Sequence, residues 1–173
     1  KNSASALQYT ILLTPKGIEA LNYLRFAKAC EPFATATKEY EGDGWFYGNV
    51  RGKITKSQFM SIAKSGNIIY DNTQNKDIKL RTAYQLVRLS HYGGFNEDAI
   101  RYFKTYVEPL KQKSLVYYYA LEQKAGALFN QKKYAEAVAS FEEIRNADNP
   151  EYQYFYAIAL IETNHFKKAE MLL

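Results

Sequence analysis

Few side chains in this chain are of a type and spacing that could perform acid–base, nucleophilic or metal chemistry. The two histidines, His91 and His165, lie near the C-terminal ends of predicted helices, where interaction with the helix dipole and with solvent is the ordinary role of histidine. Cys30 is the only cysteine, which excludes an internal disulfide and a cysteine-based zinc site and predicts a small buried side chain. The sequence therefore predicts no catalytic residue, no metal site and no cofactor.

Two other motifs could belong to an active site, and neither has the context that its chemistry needs. Gly42 and Gly44 lack the strand–turn–helix setting and the Lys-Ser/Thr pair of a phosphate-binding loop. Glu142 and Glu143 fit a solvated helix face, and nothing else supports hydrolysis by paired carboxylates. We expect a non-enzymatic protein. An enzyme would instead need a polar cluster of residues 33–53 that converges with His91.

Composition indicates one globular domain or one extended array of helices. Of the 173 residues 47% are hydrophobic, which is enough for a core. The net charge of +5 comes from basic and acidic residues spread along the chain, and no basic block is present. Nucleic acid is therefore not an expected partner. No run of about 18 apolar residues predicts a transmembrane segment.

Residues 115–150 contain the clearest structural pattern, two segments of helical length joined by the polar residues 130–133. The pattern consists of a small residue, an aromatic turn residue, a second small residue, two large residues and a proline. These are, in order, Gly126, Tyr134, Ala137, Phe141, Ile144 and Pro150. This spacing resembles the tetratricopeptide repeat (TPR), a helix–turn–helix unit of about 34 residues with helices A and B. The interval from Gly126 to Tyr134 is one residue shorter than in the family. Either Ala125 is the small residue or the turn is tighter.

Neighbouring segments repeat this pattern. A predicted helix over residues 76–92 ends at Gly93-Gly94 and is followed by a second over residues 95–109, and a third copy begins near Ala157. Ala99, Ala137 and Ala169 recur at intervals of 38 and 32 residues. The resemblance implies an all-α fold, a right-handed stack of TPR-like hairpins that forms an α-solenoid. The apolar end at Leu172 and Leu173 predicts that further residues follow in the complete protein.

The N-terminal part fits the repeat less well. Residues 5–13 have the pattern of a strand or of a first helix, residues 14–17 predict a break, and residues 18–32 predict a helix, so residues 5–32 would form a degenerate hairpin. Residues 33–53 contain four glycines and several aromatic residues, and they predict an ordered aromatic loop. Helix resumes over residues 55–72 with an interruption at Ser65-Gly66. We predict two parts, residues 1–54 and the TPR-like repeats of residues 55–173.

The resemblance implies a protein–protein interaction scaffold that binds a peptide or partner protein on the inner face of its helices A. In the loop, Trp45 and Tyr47 either fill a gap between helices or face a ligand. The candidate partner-binding residues are Trp45, Tyr47, Tyr119, Glu122, Tyr154 and Ile158. The Lys, Arg and Asn clamp for a peptide carboxylate is absent from the inner positions. They could hold an apolar helix or an extended peptide, or the chain's own N-terminal segment could cover them.

Two other functions remain as alternatives: a structural domain of a larger exported protein, and an RNA-binding helical repeat. RNA binding would require a basic inner face, which the inner positions do not supply. Some bacterial cell-envelope proteins with tandem TPR-like hairpins are similar, so the cell envelope or periplasm is one expected setting and the cytoplasm is the other. The sequence predicts neither the partner's identity nor the oligomeric state.

Overall fold

The computed structural model describes residues 14–34, 37–40, 47–50, 53–144 and 150–172, and the statements below refer to these residues. They form eight α-helices and two short strands. The helices are α1 (Pro15–Ala34), α2 (Lys56–Asn72), α3 (Lys76–Tyr92), α4 (Asn96–Tyr102), α5 (Leu115–Asn130), α6 (Tyr134–Ile144), α7 (Pro150–Glu162) and α8 (Phe166–Glu170). Strands β1 (Thr37–Tyr40) and β2 (Tyr47–Val50) lie between α1 and α2 and pair antiparallel.

Two sets of helix contacts build the core. In the first set, each helix from α1 to α8 packs against the next one, and the residues that follow α4 also contact α5. In the second set, α1 packs on α3, α3 on α5, and α5 on α7. The predicted helical class with packed neighbouring helices is confirmed. Because α1 contacts both α2 and α3, residues on either side of position 54 share these contacts. The predicted division there stays a prediction.

The core contains both small and large side chains, and small ones allow helices to pack closely. The recurring alanines Ala99, Ala137 and Ala169 are buried on α4, α6 and α8. Cys30 of α1 is fully buried, as predicted, and burial raises the pKa of its thiol to about 12.

Polar side chains fix the starts of the first three helices. The Gly17 N–H donates to Thr14 Oγ1 at 3.1 Å, so the predicted break at residues 14–17 is the start of α1, which begins at Pro15 and not at Ile18. Thr55 and Gln58 form a capping box at α2. Asn75 Oδ1 accepts from the Asp77 N–H at 2.9 Å at the start of α3. Residues 5–13, predicted as a strand or a helix, lie outside the described residues.

The predicted interruption at Ser65-Gly66 is wrong, because α2 is continuous from Lys56 to Asn72. Gly66 is a packing position. A Cβ atom there would lie 2.6 Å from Phe26 Cζ on α1 and 2.9 Å from Leu86 Cδ2 on α3. Glycine therefore allows three helices to approach closely at this point, and the helix tolerates its poor propensity.

One turn geometry occurs three times. Gly94, Lys132 and Asn164 have left-handed backbones, with φ of 80°, 59° and 61°. In each case the N–H of the following residue donates to a carbonyl five residues earlier: Phe95 to Ser90 at 2.8 Å, Lys133 to Leu128 at 3.0 Å, and His165 to Leu160 at 2.8 Å. This is the Schellman ending of a helix. The junctions α3–α4, α5–α6 and α7–α8 therefore reverse the chain in the same way.

The second helix predicted over residues 95–109 is shorter and less regular than expected. Its α-helical part is Asn96–Tyr102, followed by a π-helical turn, Phe103–Val107, and a 3₁₀ turn, Glu108–Leu110. The wider turn accompanies a contact with α2: the Tyr106 ring stacks on Tyr70 at 4.1 Å, and the Tyr70 hydroxyl donates to the Tyr106 carbonyl at 2.9 Å.

Candidate protein-binding face

The outward sides of α3, α5 and α7 carry three tyrosines that are 35 residues apart, Tyr84, Tyr119 and Tyr154. Tyr119 and Tyr154 have exposed fractions of 44% and 58%, and Tyr84 is half-buried. Residues three or four positions further along each helix lie on the same side. We call this surface the tyrosine face. Its members are Tyr84, Arg88, Tyr119, Glu122, Tyr154 and Ile158, together with Phe155, whose ring lies 5.6 Å from that of Tyr154.

Aromatic contacts connect the three helices of the tyrosine face. Tyr84 and Tyr119 have ring centroids 6.1 Å apart, which joins α3 to α5. Phe129 of α5 meets Phe155 of α7 edge to face at 5.3 Å. Phe155 also lies 5.6 Å from Tyr154. Aromatic contacts therefore join α3 to α5 at Tyr119 and α5 to α7 at Phe129, and Tyr154 is the most exposed ring of the face.

Charged residues of both signs flank these rings. The pKa of Tyr84 is raised, chiefly because the phenol is buried; Arg88 counteracts this, and Glu122 adds to it. A raised pKa keeps the phenol protonated at neutral pH. Tyr84 can thus act as a neutral hydrogen-bond donor beside one guanidinium and one carboxylate.

A polar cluster beneath the face joins α3 to α5. His91 Nδ1 lies 2.9 Å from Gln123 Oε1, and since an amide oxygen only accepts, the imidazole donates. Gln123 is only 7% exposed. Asn130 Nδ2 lies 3.4 Å from His91 Nε2. His91 is therefore a half-buried structural residue, and not the solvated one that its place near a turn predicts.

Gly126 faces this cluster. Two helices of a hairpin approach closely only at small residues, for which the sequence offers Ala125, Gly126 and Ala137. A Cβ atom at Gly126, however, would lie 2.7 Å from His91 Cε1 on α3. Gly126 therefore makes room for the imidazole, and Ala125 and Ala137 are fully buried.

The α3–α5 and α5–α7 junctions share one register. His91 and Phe129 each stand three residues before the left-handed residue of their turn, and Gln123 and Phe155 each stand nine residues before theirs. His91 contacts Gln123, and Phe129 contacts Phe155. The same pair of positions is thus polar at one junction and aromatic at the next.

The paired carboxylates of α6 each hold structural contacts. Glu143 Oε1 accepts from Tyr117 at 2.8 Å and from Lys113 at 2.9 Å. Burial opposes ionisation of Glu143, but these hydrogen bonds outweigh it and hold its pKa below the ordinary value. Burial, with the hydrogen bond to Glu143, raises the pKa of Tyr117. Glu142 accepts from Tyr156 at 3.2 Å, so both side chains are more engaged than a solvated helix face predicts.

Four of the six predicted partner-binding residues lie on two helices that contact each other. Tyr119 and Glu122 lie on α5, and Tyr154 and the half-buried Ile158 lie on α7. Of the other two predicted residues, Trp45 lies outside the described residues, and Tyr47 begins β2, where it pairs with Tyr40.

Sequence reasoning missed Tyr84, Arg88 and Phe129. The 35-residue interval between the three tyrosines is the signal that could have found Tyr84. In the described part of the chain, no group of three or more His, Cys, Asp and Glu side chains could hold a metal ion. No described helix is both long enough and apolar enough to span a membrane.

Comparison with known proteins assigns no family: no family model, curated protein or solved structure matches the chain. The TPR resemblance therefore rests on the residues that carry it and stays a prediction.

Proposed function

We propose that this chain is a non-enzymatic protein-interaction module whose tyrosine face binds a peptide or a segment of a partner protein. The observation that carries the proposal is the exposure of Tyr119 and Tyr154 on two helices in contact, with Tyr84 in line on a third. Tyrosine provides a large contact area and a hydroxyl at low conformational cost, and it is enriched among residues that dominate binding energy.

We also propose that the hairpins stack in the right-handed, TPR-like manner that the sequence implies. Two observations support this. The contacts of α3 with α5 and of α5 with α7 link successive first helices, as stacked hairpins require. The turns at Gly94, Lys132 and Asn164 share one geometry. A stack of this kind would place the tyrosine face on the side formed by the first helices.

The charges of the tyrosine face favour a protein partner over RNA. Arg88 of the face and the exposed Arg81 lie on α3. Glu122 of the face lies on α5, and the exposed Glu162 lies on α7, so both signs of charge are present. A surface of mixed charge gives little attraction to a phosphate backbone, which is the main source of affinity in nucleic-acid binding.

Selection from a random peptide library displayed on phage tests the proposal. The selected peptides are then measured against the wild type, Tyr154→Glu and a matched control, Met60→Glu. Met60 lies on α2 and is 60% exposed, close to the 58% of Tyr154, and both substitutions add one negative charge. Circular dichroism shows whether each variant retains its fold.

We expect selected peptides to bind the wild type and Met60→Glu equally, and to bind Tyr154→Glu about tenfold more weakly or worse. Peptides that bind all three folded proteins with equal affinity would refute the tyrosine face as the binding surface. A selection that enriches no sequence would also count against the proposal.

A further inference from the structure

We propose that a groove between α1 and α2 binds a small amphipathic monocarboxylate, such as a fatty acid of medium chain length. The groove lies between residues 22–29 of α1 and residues 61–69 of α2, and its cavity has a volume of about 570 Å³. Sites for small molecules typically have volumes of about 300–1,000 Å³. The tyrosine face lies on α3, α5 and α7, so this inference does not rest on the proposed function.

The floor of the α1–α2 groove is apolar. Phe26 of α1 and Ile62 and Ile69 of α2 line the cavity, and Phe26 is only 3% exposed. Ile68 also lines it, but 51% of this side chain is open to solvent. An apolar tail in the groove would remove the Ile68 side chain from water, which is favourable in proportion to the apolar area covered.

Both walls of the groove also carry polar side chains. Asn22 and Arg25 lie on α1, and Ser61 and Ser65 lie on α2. The groove thus offers hydrogen-bond donors of three types, an amide, a guanidinium and hydroxyl groups. Polar donors beside an apolar floor fit a ligand that has a polar head group and an apolar tail.

The charge of the groove determines the type of head group. Among the described residues that line the cavity, Arg25 is the charged one. The ion pairs among the described residues do not include it. A guanidinium binds a carboxylate through two parallel N–H···O hydrogen bonds. The head group is therefore an anion, and Arg25 is the residue that holds it.

The far end of the groove limits the ligand to one negative charge. A smaller cavity of about 100 Å³ shares Asn22, Ile68 and Ile69 with the groove, and Glu19 lines it. A second anionic group at that end would lie near the Glu19 carboxylate, which disfavours it. A monocarboxylate satisfies both conditions, because its one charge lies at Arg25 and its apolar tail extends along the isoleucines.

Contacts between the two helices form the groove before a ligand binds. Thr73 Oγ1 donates to Glu19 Oε2 at 2.8 Å, which joins the end of α2 to the start of α1. Gly66 lets the Phe26 ring approach α2 closely. Because these contacts fix the walls, a ligand does not have to order them when it binds. The lining residues of α2 extend over about 12 Å of helix, which accommodates a tail of medium length.

Titration of the ¹⁵N-labelled chain with decanoate, below its micelle concentration, tests the proposal. Amide chemical shifts in α1 and α2 should change saturably. Decylammonium has the same tail with the opposite charge, and it should bind about tenfold more weakly or worse, because it would meet Arg25. Equal affinity for the two ligands would overturn the assignment of an anionic head group. The absence of saturable changes in α1 and α2 would overturn the site.

Variants locate the two parts of the ligand. Arg25→Gln should weaken decanoate binding about tenfold, because the charge-assisted hydrogen bonds are lost. Arg81→Gln removes the same charge from an exposed position on α3, and it should change the affinity less than twofold. Ser65→Trp should abolish binding, because an indole ring at this exposed position would fill the groove. Circular dichroism checks the fold of each variant, and unchanged affinity in folded Arg25→Gln or Ser65→Trp would overturn the proposal.

Discussion

Replacement of Gly126 by alanine tests the packing of α5 against α3 through the sign of a stability change. Gly126 lies inside a helix, where alanine is favoured by about 1 kcal/mol, so propensity alone predicts a more stable protein. The structure predicts the opposite. A Cβ atom at this position would lie 2.7 Å from His91 Cε1 and 2.8 Å from His91 Nε2, so the imidazole must move.

The size of the effect follows from what holds the imidazole. His91 donates to Gln123 Oε1 at 2.9 Å, and Gln123 is 7% exposed, so displacement of the ring leaves a buried amide without this partner. Such a loss costs about 1–3 kcal/mol, and residual overpacking costs a similar amount. After the propensity gain of about 1 kcal/mol is subtracted, we expect a net destabilisation of about 1–5 kcal/mol.

Urea unfolding of a double-mutant cycle decides between the two signs. In a His91→Ala background the imidazole is gone, so Gly126→Ala should then stabilise the protein by about 1 kcal/mol. If Gly126→Ala stabilises the wild-type protein to the same extent as it stabilises His91→Ala, the contact between His91 and Gly126 does not exist and the α3–α5 register is wrong.

Further predictions concern other positions. Ala137→Leu should destabilise the fold by about 1–3 kcal/mol in urea unfolding, because Ala137 is fully buried; no loss would contradict the packing. Lys132→Gly should stabilise by about 0.5–1 kcal/mol, measured by thermal unfolding, because φ is 59° there; a loss would contradict the left-handed backbone. The lowered pKa of Glu143 means that its contribution is full above the ordinary carboxyl pKa of 4.5 and is lost as pH falls through the lower folded value. Glu143→Gln should thus be less stable than the wild type at pH 7, by less than about 1 kcal/mol, and the difference should shrink in acid; a constant difference would refute the assignment. Cys30, buried and with its pKa raised to about 12, should react with a thiol reagent at pH 8 only after unfolding, and rapid labelling of the native protein would refute its burial.

Local patterns predicted the individual helices well where start, period and stop signals agree. The predicted helix over residues 76–92 is confirmed as α3, which Asn75 caps and Gly93-Gly94 ends. The helix–turn–helix of residues 115–144 is confirmed as α5 and α6. Gly66 misled the prediction, because its role depends on Phe26, which is 40 residues away in sequence. The sequence alone does not distinguish a glycine that interrupts a helix from a glycine that makes room for a ring of a neighbouring helix.

The candidate site was predictable in part for the same reason. Tyr119 and Tyr154 stand at positions that the repeat assigns to an inner face, and both are exposed. Gln123 stands at such a position too, but it is buried against His91. The burial of Gln123 depends on how α5 packs against α3. This packing register is set by contacts between helices that are not adjacent in sequence. The predicted binding function stays a proposal.

The contact between α3 and α5 is polar and the equivalent contact between α5 and α7 is aromatic, and this difference favours one order of packing among the three helices. If the hairpin of α7 followed directly on α3, His91 would face Phe155 in place of Gln123, and its imidazole N–H would lose its acceptor. If a second copy of α5 followed on α5, Phe129 would meet the amide of Gln123 and bury it without a partner. We expect each such mismatch to cost about 1–3 kcal/mol, because a buried polar group would lose its partner. We therefore expect a helix pair packed in the wrong place to be disfavoured at this contact, as a single buried polar residue disfavours the wrong register in a coiled coil.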